Sequence, residues 1–296
     1  MADAPTFVVV GAATRDVDAA DSRGWKLGGG VTYSAIAAAR LGVKVRALIG
    51  VDAEAAAATE LDTLRAAGVD VLLVPLANGP VFENRPIPGG RQQFALGASD
   101  QLSPAFLPES WRSPDAALLA AVAGELTGDW AHVFGAATFV GLAGQGLVRR
   151  LHAGQEVVRL VFEHGPLVHR ADAISLSRED VAIGAPALRD FMRPGQQLLV
   201  THGKRGSIIL TRTETGLRGR YMPPLPPRKA IDATGAGDTF VAAWLAARLL
   251  VGDGWRAQTV ASVLSSLVVS RTSLSDTPTS RELCEALIML RDQRSD

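Results

Sequence analysis

The chain has 296 residues, 47% hydrophobic and 20% charged, and its 30 basic residues balance 30 acidic ones. A protein without a global field cannot gather nucleic acid or an anionic membrane by charge, so any phosphate site must be local. The length suits one α/β domain over residues 1–296, monomeric or homodimeric, and the single cysteine, Cys284, forms no internal disulfide, which suits a reducing cytosol. The start Met-Ala-Asp-Ala-Pro lacks a basic n-region, and no apolar run reaches membrane-spanning length. The expectation is a cytoplasmic globular protein without nucleic-acid or membrane partners.

Phe7–Val10 reads as the first strand, and the short polar stretch 12–28 as part of a flap. Tyr33–Leu41 predicts a helix closed by Gly42, Val45–Ile49 a strand, Ala55–Ala67 a helix closed by Gly68, and Val69–Val74 a strand. Val81–Gly97 reads as a hairpin turning near Pro88-Gly89-Gly90, the second part of the flap. Asp115–Leu126 predicts a helix, His132–Phe134 a strand and Leu142–Leu151 a helix. Val157–Phe162, Leu198–Val200 and Ile208–Leu210 read as strands. Pro223–Arg228 is an extended connector. Ala236–Leu250 predicts a helix, and Ser262–Ser275 a buried helix running into a loop. Continuously apolar strands alternating with helices point to a doubly wound, mostly parallel sheet with helices on both faces, carrying a small β lid from 12–28 and 81–97.

Chemistry concentrates in Ile231-Asp232-Ala233-Thr234-Gly235-Ala236-Gly237-Asp238-Thr239-Phe240, which leads into an apolar helix. Gly235, Ala236 and Gly237 let backbone approach a ligand closely. Their N–H groups fall at the first helical turn, where no intrahelical acceptor exists, and the positive helix end completes an anion site. Asp238 lies in the same turn. A phosphate cradle beside a carboxylate is what phosphoryl transfer to an alcohol needs: the carboxylate takes the hydroxyl proton while the amides hold the charge on the transferred group. For a shorter motif, an acid capping a helix behind a glycine turn would be the ordinary explanation.

The longer pattern Asp-x-Thr-Gly-Ala-Gly-Asp-Thr-Phe, late in an α/β chain of this length, resembles the second signature of the ribokinase (PfkB) carbohydrate kinase family. Leu27-Gly28-Gly29-Gly30-Val31-Thr32-Tyr33-Ser34, followed by Ala39-Arg40-Leu41-Gly42, is similar to that family's Gly-Gly sugar-binding turn and first long helix. The resemblance implies a ribokinase-like fold and a small-molecule kinase that phosphorylates a hydroxyl of a sugar, cyclitol or related polyol. ATP and Mg2+ are the implied cofactors. It makes Asp238 the catalytic base, with Gly235, Ala236 and Gly237 as the anion hole. Asp16, Gly28, Gly29, Gly30 and Ser34 become substrate-binding candidates, with Asp18 a neighbouring one. Thr201, Gly203, Gly206 and Thr234 become nucleotide-side candidates.

Three departures qualify the resemblance. Ser177-Arg178-Glu179-Asp180 stands where the family carries Asn-x-x-Glu, which leaves Asp180, with Glu179 close by, as the candidate for the magnesium region. Asp232 and Thr234 match two positions of a monovalent-cation site, but Ser270–Ser275 carries Ser273 where a glycine often stands. Ser34 replaces an asparagine that holds the sugar. The short lid segment resembles the nucleoside- and inositol-type branches, with Glu83, Asn84, Arg91 and Gln93 as lid candidates. A nucleoside kinase and a catalytically silent ligand-binding or regulatory protein on the same fold are the alternatives.

Overall fold

The strands of the computed structural model, which describes residues 3–87, 90–122, 124–178, 190–225 and 229–292, run as follows. The first nine are β1 (Thr6–Ala12), β2 (Thr14–Val17), β3 (Trp25–Gly28), β4 (Lys44–Val51), β5 (Asp70–Pro75), β6 (Val81–Ile87), β7 (Gly90–Gly97), β8 (Ala116–Leu119) and β9 (Phe139–Ala143). They are followed by β10 (Arg149–Arg150), β11 (Gln155–Glu156), β12 (Val158–Arg159), β13 (Ala173–Ser177), β14 (Gln197–Thr201), β15 (Ser207–Arg212) and β16 (Leu217–Met222). Nine of them form a sheet of order β16-β15-β14-β13-β9-β8-β1-β4-β5. Every neighbouring pair from β14 to β5 is parallel, while β15 and β16 are antiparallel additions at one edge.

Residues 7–12 of β1 and the whole of β8 and β9 are polar-free because both faces of the sheet are covered. Phe7 and Val9 of β1 enter one core while Val8 and Val10 enter the other, and β8 divides Ala116 and Leu118 from Ala117 and Leu119 in the same way. The helices Gly30–Arg40, Ala236–Val251, Gly254–Val268 and Ser280–Asp292 pack on the first face. On the second, among the described residues, the cover comes from the 3₁₀ segments Glu109–Trp111 and Gly128–His132 and the short helix Pro166–Arg170. The mostly parallel α/β sheet with both faces covered that the sequence predicts is what the chain adopts.

Several elements differ from expectation. Asp115–Leu126 is not a helix: Ala116–Leu119 is strand β8, and the other described residues of the stretch are in neither helix nor strand. Leu142–Leu151 likewise begins as the end of β9 and continues through the 3₁₀ turn Gly144–Leu147. A short Ala/Leu run buried on both faces carries no period that separates strand from helix, and here the sheet took it. His132–Phe134 closes a 3₁₀ segment instead of forming a strand, Val157–Phe162 contributes only Val158–Arg159, and Ala55–Ala67 splits into Ala53–Ala56 and Glu60–Ala66. The lid is a five-stranded sheet, β11-β7-β6-β2-β3, with Gln155–Glu156 adding an edge strand that the 12–28 and 81–97 segments do not contain.

Candidate active site

The lid hairpin fixes one wall of the site. Its register pairs Thr14 with Gly28 and Asp16 with Lys26, so these four residues share one face, while Arg15, Val17, Trp25 and Leu27 share the other. Thr14 Oγ1 donates to Asp16 Oδ1 at 3.0 Å. A Cβ at Gly28 would run into the Asp16 carboxylate, so only glycine lets the acid lie there. Behind the hairpin, buried Glu60 accepts the Leu27 amide at 3.2 Å and the Arg23 guanidinium at 2.5 Å. Burial alone would raise the Glu60 carboxyl, but Arg23 and the backbone amides outweigh it and hold it below the usual range.

From Gly28 the chain turns into the helix Gly30–Arg40 with Gly29 at φ 103°, a backbone state that excludes other side chains. A Cβ on Gly30 would lie 2.9 Å from Asp238 Oδ1, which brings the paired-glycine turn directly against the candidate base. Ser34 is fully buried, and its hydroxyl donates to the Asp238 backbone carbonyl at 3.2 Å. That places Ser34 in the joint between the helices Gly30–Arg40 and Ala236–Val251.

The second glycine turn forms the opposite wall. Gly235 caps the helix Ala236–Val251 at φ 74°, and a Cβ there would strike the Tyr33 ring. Burial, together with the carboxylates of Asp16, Asp232, Asp238 and Glu60, pushes the Tyr33 hydroxyl well above its ordinary value, so it stays neutral. Ala236 N–H donates to Ala233 O at 3.2 Å and Thr239 N–H to Gly235 O at 2.8 Å, while Ser265 Oγ supports the turn through Ala236 O at 2.9 Å. Gly237 is exposed, with nothing within 4 Å of the place its Cβ would take. Among the described hydrogen bonds none uses its amide. The Ala236 amide is thus engaged within its own loop, whereas Gly237 stands open.

Asp232 anchors the loop that leads into this turn. Its Oδ1 accepts the Thr234 amide at 2.9 Å and hydroxyl at 2.7 Å, so the Thr234 side chain is spent inside the loop. Its Oδ2 accepts Lys26 Nζ at 3.2 Å. Burial would raise the Asp232 carboxyl, but Thr234 and Lys26 hold it below the ordinary value. A monovalent ion does not fit beside Asp232, because the Lys26 ammonium already occupies that oxygen.

Thr201, Gly203 and Gly206 belong to a separate tight turn at the end of β14. His202 N–H bonds Gly206 O at 2.8 Å, and Gly206 has φ 84°. β14 lies four places from β1 in the sheet. The helix Gly254–Val268 bridges the gap: Gln258 Nε2 reaches Ser207 Oγ at 3.0 Å while Ser265 holds the glycine turn. Asp180 and Glu179 lie outside the described residues, and among those described no group of three or more His, Cys, Asp or Glu side chains could hold a metal ion. In the lid, Asn84 Oδ1 accepts from Gln93 Nε2 at 3.1 Å and Glu83 pairs with Arg85 at 2.8 Å, so these polar groups are engaged with each other. Lys26, Tyr33 and Glu60 were missed by sequence reasoning. Only the period-two alternation of the hairpin, which sets Lys26 on the face of Asp16 and Gly28, offered a signal.

Residues 170–280 match the model of the pfkB family carbohydrate kinases. No curated protein sequence matches the chain at a significant level. Among solved structures, a pyrophosphate-dependent kinase of the ribokinase family, complexed with a pyrophosphate analogue and myo-inositol, shares 21% identity at a TM-score of 0.75, over 95% of this chain and 99% of that one. Ribokinase from Thermotoga maritima gives 17% and 0.72, over 96% and 99% of the two chains. Arabidopsis thaliana ribokinase, complexed with ribose and ATP, gives 18% and 0.68, over 96% and 99%. The matched segment contains the whole of the glycine turn and Asp238, and it lies on the fold these structures share. The chain adopts the ribokinase-like fold, and its segment 170–280 is similar to the pfkB family of carbohydrate kinases.

Proposed function

We propose that the protein transfers the terminal phosphoryl group of ATP to a hydroxyl of a small sugar, cyclitol or related polyol. The observation that carries this is the abutment of Gly30 on the Asp238 carboxylate, with Asp16 held across Gly28 on the same wall. An acceptor alcohol between those groups has one carboxylate for binding its hydroxyls and another for taking a proton. Asp238 accepts the proton of the attacking hydroxyl, and the helix end beside Gly235 and Gly237 holds the charge that builds on the transferred group. The five-stranded lid excludes water, which would otherwise compete as acceptor. Magnesium accompanies ATP as its ordinary counter-ion, and Asp180 is the residue proposed for that region.

The test is a matrix of donors and acceptors. ATP and pyrophosphate are the donors, since one similar structure is of a pyrophosphate-dependent enzyme and another holds ATP. Sugars, cyclitols and nucleosides are the acceptors. Turnover with a polyol supports the proposal, and turnover with nucleosides alone replaces its acceptor class. Asp238→Asn is expected to bind donor normally and to lose about 10²–10⁴-fold in kcat, the range for a removed general base. Unchanged turnover would move the proton-accepting role elsewhere.

A further inference from the structure

Lys26, on the cleft face of the lid hairpin, reaches across to the loop of the second glycine turn. Its ammonium lies 3.2 Å from Asp232 Oδ2, 3.0 Å from the Thr272 carbonyl and 3.6 Å from Asp18 Oδ2, with the side chain 17% exposed. An ammonium has three N–H donors and no acceptor, and three oxygens from three separate stretches of chain surround this one. The other oxygen of Asp232 is spent on Thr234. The same loop is tied to the end of the helix Gly254–Val268, where Ile231 and Asp232 amides donate to Val269 O at 2.8 and 3.2 Å. A carboxylate oxygen and a carbonyl oxygen therefore converge on a single positive charge, and without it they would face each other uncompensated.

We infer that Lys26 is a positioning residue whose ammonium serves as a built-in monovalent cation, fixing the loop that carries Gly235–Gly237 against the lid without an added ion. The ammonium would take the place of the ion whose site Asp232 and Thr234 match in part and from which Ser273 departs. A tethered charge also joins two functions that a free ion would leave separate. β3 runs directly from Lys26 through Leu27 into Gly28, so the acceptor wall and the donor loop are held in one register.

The inference rests on residues 235–237 being the phosphate turn, so the experiment has one arm that needs no activity. Wild type, Lys26→Met and Lys26→Arg are compared in chlorides of potassium, ammonium, sodium and tetramethylammonium at constant ionic strength. Melting temperature and phosphoryl transfer are both recorded. Wild type and Lys26→Arg are expected to be indifferent to the cation in both readouts. Lys26→Met is expected to melt lower in tetramethylammonium, to regain about 2–4 °C in potassium or ammonium, and to recover transfer by roughly tenfold or more in those salts. A merely structural strut would not be rescued by a small ion.

Potassium-dependent melting or activity of the wild type overturns the inference. So does a folded Lys26→Met variant that no cation rescues. Should Lys26→Met not fold, the wild-type and Lys26→Arg arms still decide. If no donor and acceptor give transfer in any variant, the kinase proposal fails while the melting arm continues to test Lys26.

Discussion

The two glycine turns of the cleft look alike in sequence and differ in what their glycines leave room for. At 28–30 every added methyl group would meet protein: Asp16 at Gly28, the Ala12 carbonyl at 2.8 Å from Gly29, and Asp238 at Gly30. At 235–237 only Gly235 is confined, by the Tyr33 ring and its own positive φ, whereas Gly237 faces open space. The first turn uses glycine to bring protein groups together, and the second uses it partly to keep a place clear. A glycine-rich motif therefore has two physical meanings, and which one holds is decided by the neighbours that a side chain would meet.

The largest effect expected from breaking this distinction is at Gly30. Gly30→Ala would push against Asp238 Oδ1 at 2.9 Å and the Ala120 carbonyl at 3.4 Å, displacing the base from its acceptor. A displacement near 1 Å is worth about 10²-fold in rate. Steady-state kinetics should show kcat falling by that order, with the donor KM little changed. A wild-type kcat in Gly30→Ala would mean that the two turns do not meet at Asp238.

Next comes Gly235→Ala. It combines a left-handed backbone at φ 74° with a methyl driven into the Tyr33 ring. Backbone strain of this kind costs about 1–3 kcal/mol, and buried overpacking adds to it. Urea unfolding should register a loss on that scale. A loss below ~0.5 kcal/mol would show that Tyr33 does not support the turn.

A smaller, pH-dependent effect separates the anchors of the two turns. Glu60 holds the first through the Leu27 amide, and Asp232 holds the second through Thr234; both carboxyls are depressed below their ordinary values. A depressed carboxyl contributes stability that is complete above its unfolded pKa and is lost as pH falls through its folded one. Stability should therefore decline on the acid side, beginning near pH 4–5 where unfolded carboxylates start to bind protons. Glu60→Gln should flatten that decline while lowering stability at neutral pH. An unaltered acid slope would remove Glu60 from the account of the first turn.

Both turns, the lid segments and Asp238 were legible in the sequence, because glycine spacing at a strand-to-helix junction is a local signal. What was not legible depended on partners far along the chain. Lys26 and Asp232 are 206 positions apart, and Ser34 and Asp238 are 204. The helices assigned to Asp115–Leu126 and Leu142–Leu151 failed for a different reason. Ala116–Leu119 is buried on both faces, so its residues serve two cores and show neither the period of a helix nor that of a half-exposed strand. The open surface at Gly237 and the inward turn of the Ala236 amide are likewise matters of geometry that residue type does not encode.

The smallest expected change is at Gly237, and it tests the comparison most sharply because its sign is opposite in stability and in binding. No atom lies within 4 Å of an added Cβ, and the residue is exposed in the first turn of the helix Ala236–Val251. Alanine is a better helix former than glycine by about 0.5–1 kcal/mol, so Gly237→Ala should be as stable as wild type or more stable by up to that amount. On the proposed function the same methyl group would stand where the donor's terminal phosphate is seated, so the donor KM should rise while the acceptor KM stays near its original value. A protein strengthened in folding and weakened only toward its donor is the outcome that a reserved space predicts. Equal weakening toward both ligands, or a loss of stability, would mean that Gly237 is packed like the glycines at 28–30 and that the two turns do not differ.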